Sequence, residues 1–307
     1  MKKTALIFPG QGAQKIGMGK DFYETFSASR EVYDQAGEWL DMDVKSLCFE
    51  KNDKLDITRY TQIGLLTTEL AMLKAVETME IVPAVTAGLS LGEYAALTAS
   101  GKISVEDAIR VIDKRGQYMQ EAVPSGGAMA AVLGLDVETI EKICADTRGI
   151  VEIANDNCPG QTVITGEAGA VNAASERLKE LGAKRCVPLK VSGPFHSPML
   201  KGAGEKLGQV LADISLKEIH VPYLSNVTGD YVADTSQVKE LLVKQVSSSV
   251  RWQECVERMI ADGVDTFVEI GPGKSLSGFM RKINRDVTVI NVEKAEDLEK
   301  LPLSGRE

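Results

Sequence analysis

Val82-Pro83-Ala84-Val85-Thr86-Ala87-Gly88-Leu89-Ser90-Leu91-Gly92-Glu93-Tyr94-Ala95-Ala96-Leu97 is the stretch that decides the fold. Its first six residues read as a short buried strand, and the run from Gly92 reads as a helix. Between them lies Gly88-Leu89-Ser90-Leu91-Gly92, a G-x-S-x-G corner. Such a corner holds a serine hydroxyl on a sharp strand-to-helix turn, where small flanking residues leave room for a substrate carbonyl. The helix starting at Leu91 adds backbone N–H groups and a positive dipole end, suited to a developing oxyanion. The competing reading is a glycine-rich turn whose serine only caps the helix.

Working outward, the first half alternates strand and helix in the manner of a parallel sheet covered by helices. A strand at Thr4–Phe8 leads into a long helical region from Phe22 to Leu40, then a helix from Gln62 to Met79. The serine corner follows, with helices at Leu91–Ala99 and Ser104–Ala122, Ser104 being the expected N-cap of the second. The rhythm then changes to strand Ala128–Leu133, helix Val137–Ala145, strands Ile150–Ala154 and Thr162–Thr165, helix Ala170–Leu181 and strand Arg185–Val191. That βαββαβ order is the ferredoxin-like pattern. Pro124-Ser125-Gly126-Gly127 and Ser192-Gly193-Pro194 read as hinges on either side of it. Residues 125–192 are therefore expected to be a small domain inserted into a large one made of 1–124 and 193–307. The large domain resumes with a helix at Pro198–Leu211, a strand near Val221–Leu224 and helices at Gln237–Val246 and Trp252–Ala261. Strands at Thr266–Ile270 and Val287–Val292 flank a last helix after Pro272, and the charged tail from Glu293 is expected to be loosely held.

Composition narrows the function. With 307 residues, 44% of them hydrophobic, the chain can bury one large α/β core or two. A formal charge of −9 argues against a general nucleic-acid binder, which needs a basic face. No apolar run reaches membrane-spanning length, and the apolar start after Lys2 and Lys3 is cut short by Pro9-Gly10, too early for a signal peptide. A cytoplasmic protein is expected. The five cysteines, Cys48, Cys144, Cys158, Cys186 and Cys255, are widely spaced with no C-x-x-C pair, which fits reduced thiols and gives no zinc framework. With two histidines, no histidine-rich metal site is expected.

A serine nucleophile needs a base. His196 sits in Ser192-Gly193-Pro194-Phe195-His196-Ser197-Pro198, where two prolines fix the backbone and hold the imidazole at little ordering cost. His220, in Glu218-Ile219-His220-Val221-Pro222, reads as a strand-end or surface residue, so His196 is the base. No acidic residue identifies itself as its orienter. Phe8-Pro9-Gly10-Gln11-Gly12-Ala13-Gln14 fails as a dinucleotide loop because Lys15 stands where a glycine is needed. Gly271-Pro272-Gly273-Lys274-Ser275 fails as a phosphate loop because Val268 replaces its first glycine. Gly10 and Gly12 instead let the backbone around Gln11 come close to a substrate. On the helix from Ser104, Arg115 projects toward the apolar face of Val105, Ala108, Ile109, Ile112 and Met119, while Arg110 and Lys114 point away. An inward guanidinium needs a partner. Periodicity leaves a structural salt bridge and a fork for a substrate carboxylate equally open.

The stretches FPGQGAQ (Phe8–Gln14), GLSLGEY (Gly88–Tyr94), Arg115, PFHSP (Pro194–Pro198), Gln245 and EIGPG (Glu269–Gly273), in this order, resemble the malonyl-CoA:acyl carrier protein transacylases of bacterial type II fatty-acid synthesis, along essentially the whole chain. The resemblance implies a hydrolase-like α/β domain with a central parallel sheet and a ferredoxin-like insertion. It implies that Ser90 becomes malonylated, that His196 is the general base, and that the N–H groups of Gln11 and Leu91 form the oxyanion hole. Arg115 would hold the malonyl carboxylate, and Gln245 would stand near the histidine, where a backbone carbonyl replaces the acid of a triad. Phe195 would restrict the α-carbon of the acyl group, although one methyl is worth only about 1–3 kcal/mol of discrimination. Leu89, where many members carry His, and Pro194, where Ala is frequent, depart from the pattern. The resemblance further implies a monomer acting on malonyl-CoA and acyl carrier protein, which carries phosphopantetheine, with no cofactor, nucleic acid or membrane. A serine esterase or thioesterase, a polyketide-pathway acyltransferase and a non-catalytic carrier-docking module are the alternatives.

Overall fold

A computed structural model of the chain describes residues 3–79 and 81–301. Met1 and Lys2, and the end of the charged tail at 302–307, lie outside the described residues. The apolar run after Lys3 forms β1 (Lys3–Phe8), followed by α1 (Lys20–Thr25), α2 (Ser27–Leu40), α3 (Val44–Phe49) and α4 (Thr58–Glu77). Next come β2 (Val85–Gly88), α5 (Gly92–Ala99) and α6 (Val105–Ala122). The segment with changed rhythm gives β3 (Gly127–Leu133), α7 (Val137–Ala145), β4 (Val151–Cys158), β5 (Gln161–Glu167), α8 (Ala168–Glu180) and β6 (Arg185–Pro188). A 3-10 turn at Pro198–Leu200 opens onto α9 (Lys201–Ala212), β7 (Leu224–Ser225), β8 (Asp230–Tyr231), α10 (Gln237–Gln245), β9 (Val250–Arg251) and α11 (Trp252–Ala261). Last are β10 (Val264–Ile270), α12 (Ser275–Ile283), β11 (Thr288–Val292) and a 3-10 turn at Ala295–Lys300.

The chain is α/β, with a central parallel sheet in the order β11-β10-β1-β2. Helices cover both faces, which is why Ala5, Leu6, Ile7 and Phe8 of β1 are all buried rather than alternating. α4 is buried on nearly every side, packed against α2 and α6. A second sheet runs β6-β3-β5-β4, antiparallel throughout, and is extended at β4 by β9, a parallel strand from beyond α10. A separate small core, including Val132, Ile140, Ile164, Val171 and Leu178, lies between this sheet and α7 and α8. Among the described residues no helix is long and apolar enough to cross a membrane.

Several expectations need correcting. The long helix from Phe22 to Leu40 is two helices, because Phe26 adopts extended backbone and ends one while starting the next. Periodicity missed the break because Phe22, Val32, Tyr33 and Ala36 all face one core. The helix expected from Pro198 begins as a 3-10 turn and becomes α-helical at Lys201. The strand expected to reach Val191 stops at Pro188: after one further backbone bond, from the Leu189 N–H to the Met129 carbonyl, the Val191 N–H turns back onto the Leu189 carbonyl and the chain leaves the sheet. The tail from Glu293 is not loose as far as Leu301: Asp297 accepts the N–H groups of Glu293 and Lys294, and Leu298 and Leu301 are buried. The Ser104 cap is present, its hydroxyl accepting from the Asp107 N–H at 3.0 Å.

Candidate active site

β2 ends at Gly88, and the chain must then reverse into α5 within a few residues. A Cβ on Gly88 would lie 2.0 Å from the backbone of Gly92, and one on Gly92 would lie 2.3 Å from the Phe8 carbonyl. Only hydrogen fits at either place, so both glycines of the corner are steric necessities. Ser90 itself sits at φ 54°, in the left-handed region. That conformation costs on the order of 1–3 kcal/mol in a non-glycine residue. Asn226, just after β7, offsets it from both sides of the corner. Its Oδ1 accepts the Ser90 N–H at 2.6 Å, and its Nδ2 donates to the Gly88 carbonyl at 2.8 Å.

The proline-bracketed loop brings His196 to the serine. His196 is also left-handed, at φ 59°, and its N–H donates to the Val246 carbonyl. Its Nδ1 lies 2.7 Å from the Gln245 carbonyl, which can only accept, so Nδ1 carries the proton. Nε2 is then a free acceptor for the Ser90 hydroxyl, 2.8 Å away. Burial, and secondarily the Arg115 charge, push the imidazole down to about 4, so it is neutral near pH 7 and Nε2 is free of a proton.

Arg115, on α6, is buried together with its charge. Nη1 donates to Gln62 Oε1 at 2.8 Å, and Nη2 donates to Ser90 Oγ at 3.1 Å and Gln245 Oε1 at 3.0 Å. The guanidinium lies over the Tyr94 ring at 5.6 Å. Among the described residues it forms no salt bridge; its partners are neutral amides and the serine hydroxyl. Gln245, the last residue of α10, thus serves twice: its carbonyl orients His196 and its side-chain oxygen holds Arg115.

The loop after β1 faces the corner. A Cβ on Gly10 would meet the Leu89 carbonyl at 2.6 Å, so this glycine permits the close approach. Gln11 and Leu91 line the same cleft as Ser90, and among the described residues neither backbone N–H has a protein acceptor. The cleft, about 220 Å³, is also lined by Arg115, Phe195, His196 and, from β4, Asn155 and Asn157. All seven residues singled out in the sequence therefore meet in one place or bear directly on it. His220 does not: it is exposed, at a bend. The Gly271–Gly273 turn serves another purpose, since Glu269 accepts the N–H groups of Leu276 and Ser277 and caps α12.

Asn226, Glu93 and Gln62 escaped the sequence reading. Glu93 had a signal, a lone carboxylate in the otherwise apolar helix Gly92-Glu93-Tyr94-Ala95-Ala96-Leu97. Its Oε2 accepts the Gln245 Nε2 at 2.7 Å and the Asn226 N–H at 3.0 Å. Asn226 lies in a turn sequence, Ser225-Asn226-Val227-Thr228-Gly229, that looks like an ordinary exposed loop.

Comparison with known proteins agrees with this arrangement. The sequence pattern of the acyl transferase domain matches residues 5–301. The malonyl CoA-acyl carrier protein transacylase of Bacillus subtilis (strain 168) is 47% identical over 304 residues, covering 97% of this chain and 96% of that one. The crystal structure of the malonyl CoA-acyl carrier protein transacylase from Clostridium perfringens has a TM-score of 0.94 at 45% identity, covering 97% of this chain and 95% of that one. A type II PKS acyl-carrier protein in complex with its malonyl-transacylase provides another solved neighbour, with a TM-score of 0.93 at 36% identity, covering 97% of this chain and 98% of that one. A pattern spanning almost the whole chain, together with relatives this similar over their full length, leaves one conclusion: the chain belongs to the acyl transferase domain family.

Proposed function

We propose that this enzyme moves a malonyl group from malonyl-CoA to the phosphopantetheine thiol of an acyl carrier protein, through a malonyl ester on Ser90. The observation that carries the reading is the Arg115 guanidinium one hydrogen bond from the nucleophile, with no carboxylate among the described residues paired to it. A cation placed there is matched to an acyl group that bears its own carboxylate close to the thioester carbonyl.

In the first half-reaction Ser90 Oγ attacks the thioester carbon while His196 Nε2 takes its proton. The oxyanion faces the Gln11 and Leu91 N–H groups. The C–S bond breaks, and the imidazolium returns the proton to the departing CoA thiolate. In the second half-reaction the carrier's thiol gives its proton to His196 and attacks the serine ester. Ser90 leaves with that proton, so no net proton is consumed. The Gln245 carbonyl supports the transient imidazolium through Nδ1–H, in the role a carboxylate fills in a triad. Phe195, buried in the cleft wall, leaves little space beside the α-carbon.

Residues 125–192 are read as a ferredoxin-like insert whose β4 supplies Asn155 and Asn157 to the wall facing the serine, where a pantetheine arm would pass. Lys190, between the cleft-lining Leu189 and Val191, and Arg281 and Lys282, just beyond the cleft-lining Phe279, would meet an acidic carrier. Lys184, Arg185 and Arg285 extend the same basic set. No cofactor or metal takes part, and the enzyme is read as a cytoplasmic monomer.

Intact-mass measurement after mixing with malonyl-CoA tests the reading. One malonyl adduct should appear, map to Ser90 and vanish in Ser90→Ala. It should persist until a thiol acceptor is added; adduct loss to water at the rate of loading would make the protein a hydrolase, and no adduct would refute the proposal.

A further inference from the structure

Glu93 has no place in the steps above, yet it is fully buried and joins the nucleophile corner to the carboxylate fork. Through its Oε2 it holds the Asn226 N–H, and Asn226 in turn holds the Ser90 N–H. Through the same oxygen it holds Gln245 Nε2, while Gln245 Oε1 faces Arg115. The Gln245 amide is thus wedged between carboxylate and guanidinium, with its donor end on one and its acceptor end on the other. Among the described residues Glu93 Oε1 has no partner, leaving a place for a proton.

We propose that Glu93 is a proton-linked positioning residue for the carboxylate-bearing acyl group: ionised, it shares the Arg115 charge through the Gln245 amide, and protonated, it releases that charge to the substrate. This rests on the reading of Arg115 as the malonyl fork. Burial pushes Glu93 up to about 7, against the pull of the Asn226 and Gln245 hydrogen bonds and of Arg115. Its charged surroundings are otherwise silent near neutrality. His196 is pushed down to about 4. Tyr94, Tyr223 from the segment before β7, and Cys255 from α11 are all pushed up by burial and stay neutral. Arg115 on α6 stays cationic. β1 and β2 bring no ionisable side chain to this side of α5, and Glu69 of α4 faces Glu269 instead. Arrival of a second carboxylate at Arg115 weakens the pull on Glu93, so the loaded enzyme binds the proton more tightly than the free one.

Two measurements on the full-length enzyme test this. The first is the rate of Ser90 loading from malonyl-CoA and from acetyl-CoA between pH 6 and 8. A shift of about one pKa unit on loading, upward from about 7, would make malonyl kcat/KM fall about fivefold across that range, while acetyl loading, which lacks the second carboxylate, stays level. Glu93→Gln, which keeps an acceptor and cannot titrate, should flatten the malonyl profile. The second is proton uptake by the wild-type enzyme during loading, followed with a pH indicator. Loading by itself releases none, so uptake of about half a proton near pH 7.5 is expected. Zero uptake, or an unchanged pH profile in Glu93→Gln, overturns the proposal. Failure of the underlying reading looks different, because no malonyl ester then forms on Ser90 at any pH.

Discussion

Arg115→Ala is the most direct test of what the buried cation does. The guanidinium donates to Gln62, Gln245 and Ser90, and no carboxylate among the described residues pairs with it. Losing it leaves neutral acceptors directly behind, with Glu93 one amide further off, so the largest electrostatic loss falls on a substrate that carries an anion. A carboxylate about 4 Å from a charge at an effective dielectric constant near 20 gains about 4 kcal/mol. That corresponds to about a thousandfold in kcat/KM. The assay is loading of Ser90 from malonyl-CoA and acetyl-CoA, compared as a ratio so that shared effects on the elbow and on folding cancel. Malonyl loading should fall about a thousandfold relative to acetyl loading, and acetyl loading should hold or improve. Equal losses for both acyl groups would refute the reasoning and make Arg115 an architectural residue of α6.

Two further outcomes are expected. Since the Arg115 charge helps hold His196 down at about 4, the acid limb of acetyl loading should move to higher pH in Arg115→Ala, and an unmoved limb would leave burial as the sole cause. Glu69 on α4 is fully buried with both oxygens unpartnered among the described residues and is held well above 4.5 by burial and by Glu269, so the folded chain keeps its proton while the unfolded chain loses it as pH rises past that value. Its contribution is complete below 4.5 and declines by about 1.4 kcal/mol per pH unit above it, until the folded value is reached. Glu69→Met should therefore raise the urea midpoint at pH 7, with a gain that shrinks toward pH 4.5, and a pH-independent gain would show that the folded carboxyl is ionised.

The parts of the site that were legible in the sequence are those whose chemistry forces a local signature. Ser90 betrays itself because a left-handed serine between strand and helix needs glycines at 88 and 92, and His196 because its loop is stiffened by Pro194 and Pro198. Arg115 is visible through the helical period alone. Asn226, Glu93 and Gln62 are not visible in this way. Each acts through partners far away in the chain, Asn226 on Gly88 and Ser90, Glu93 on Asn226 and Gln245, and Gln62 on Arg115, and no local pattern encodes such pairings. The same holds for the fold. The strands of the parallel sheet stand out as apolar runs because helices cover both faces, whereas the break at Phe26 is hidden because both flanking helices bury their apolar sides in one core. The two-residue strand β9 is too short to leave any periodicity.

That strand has a consequence for engineering. Asn155 and Asp156 of β4 are in register with Val250 and Arg251, a few residues past the Gln245 and Val246 carbonyls that seat the histidine. A chimera that grafted in a foreign segment at the two glycine-rich junctions would sever this rung while leaving both junctions intact. Breakpoints chosen by hinge position alone would then disturb the catalytic base from a distance, and a working graft must carry residues 245–251 along with the transplanted piece.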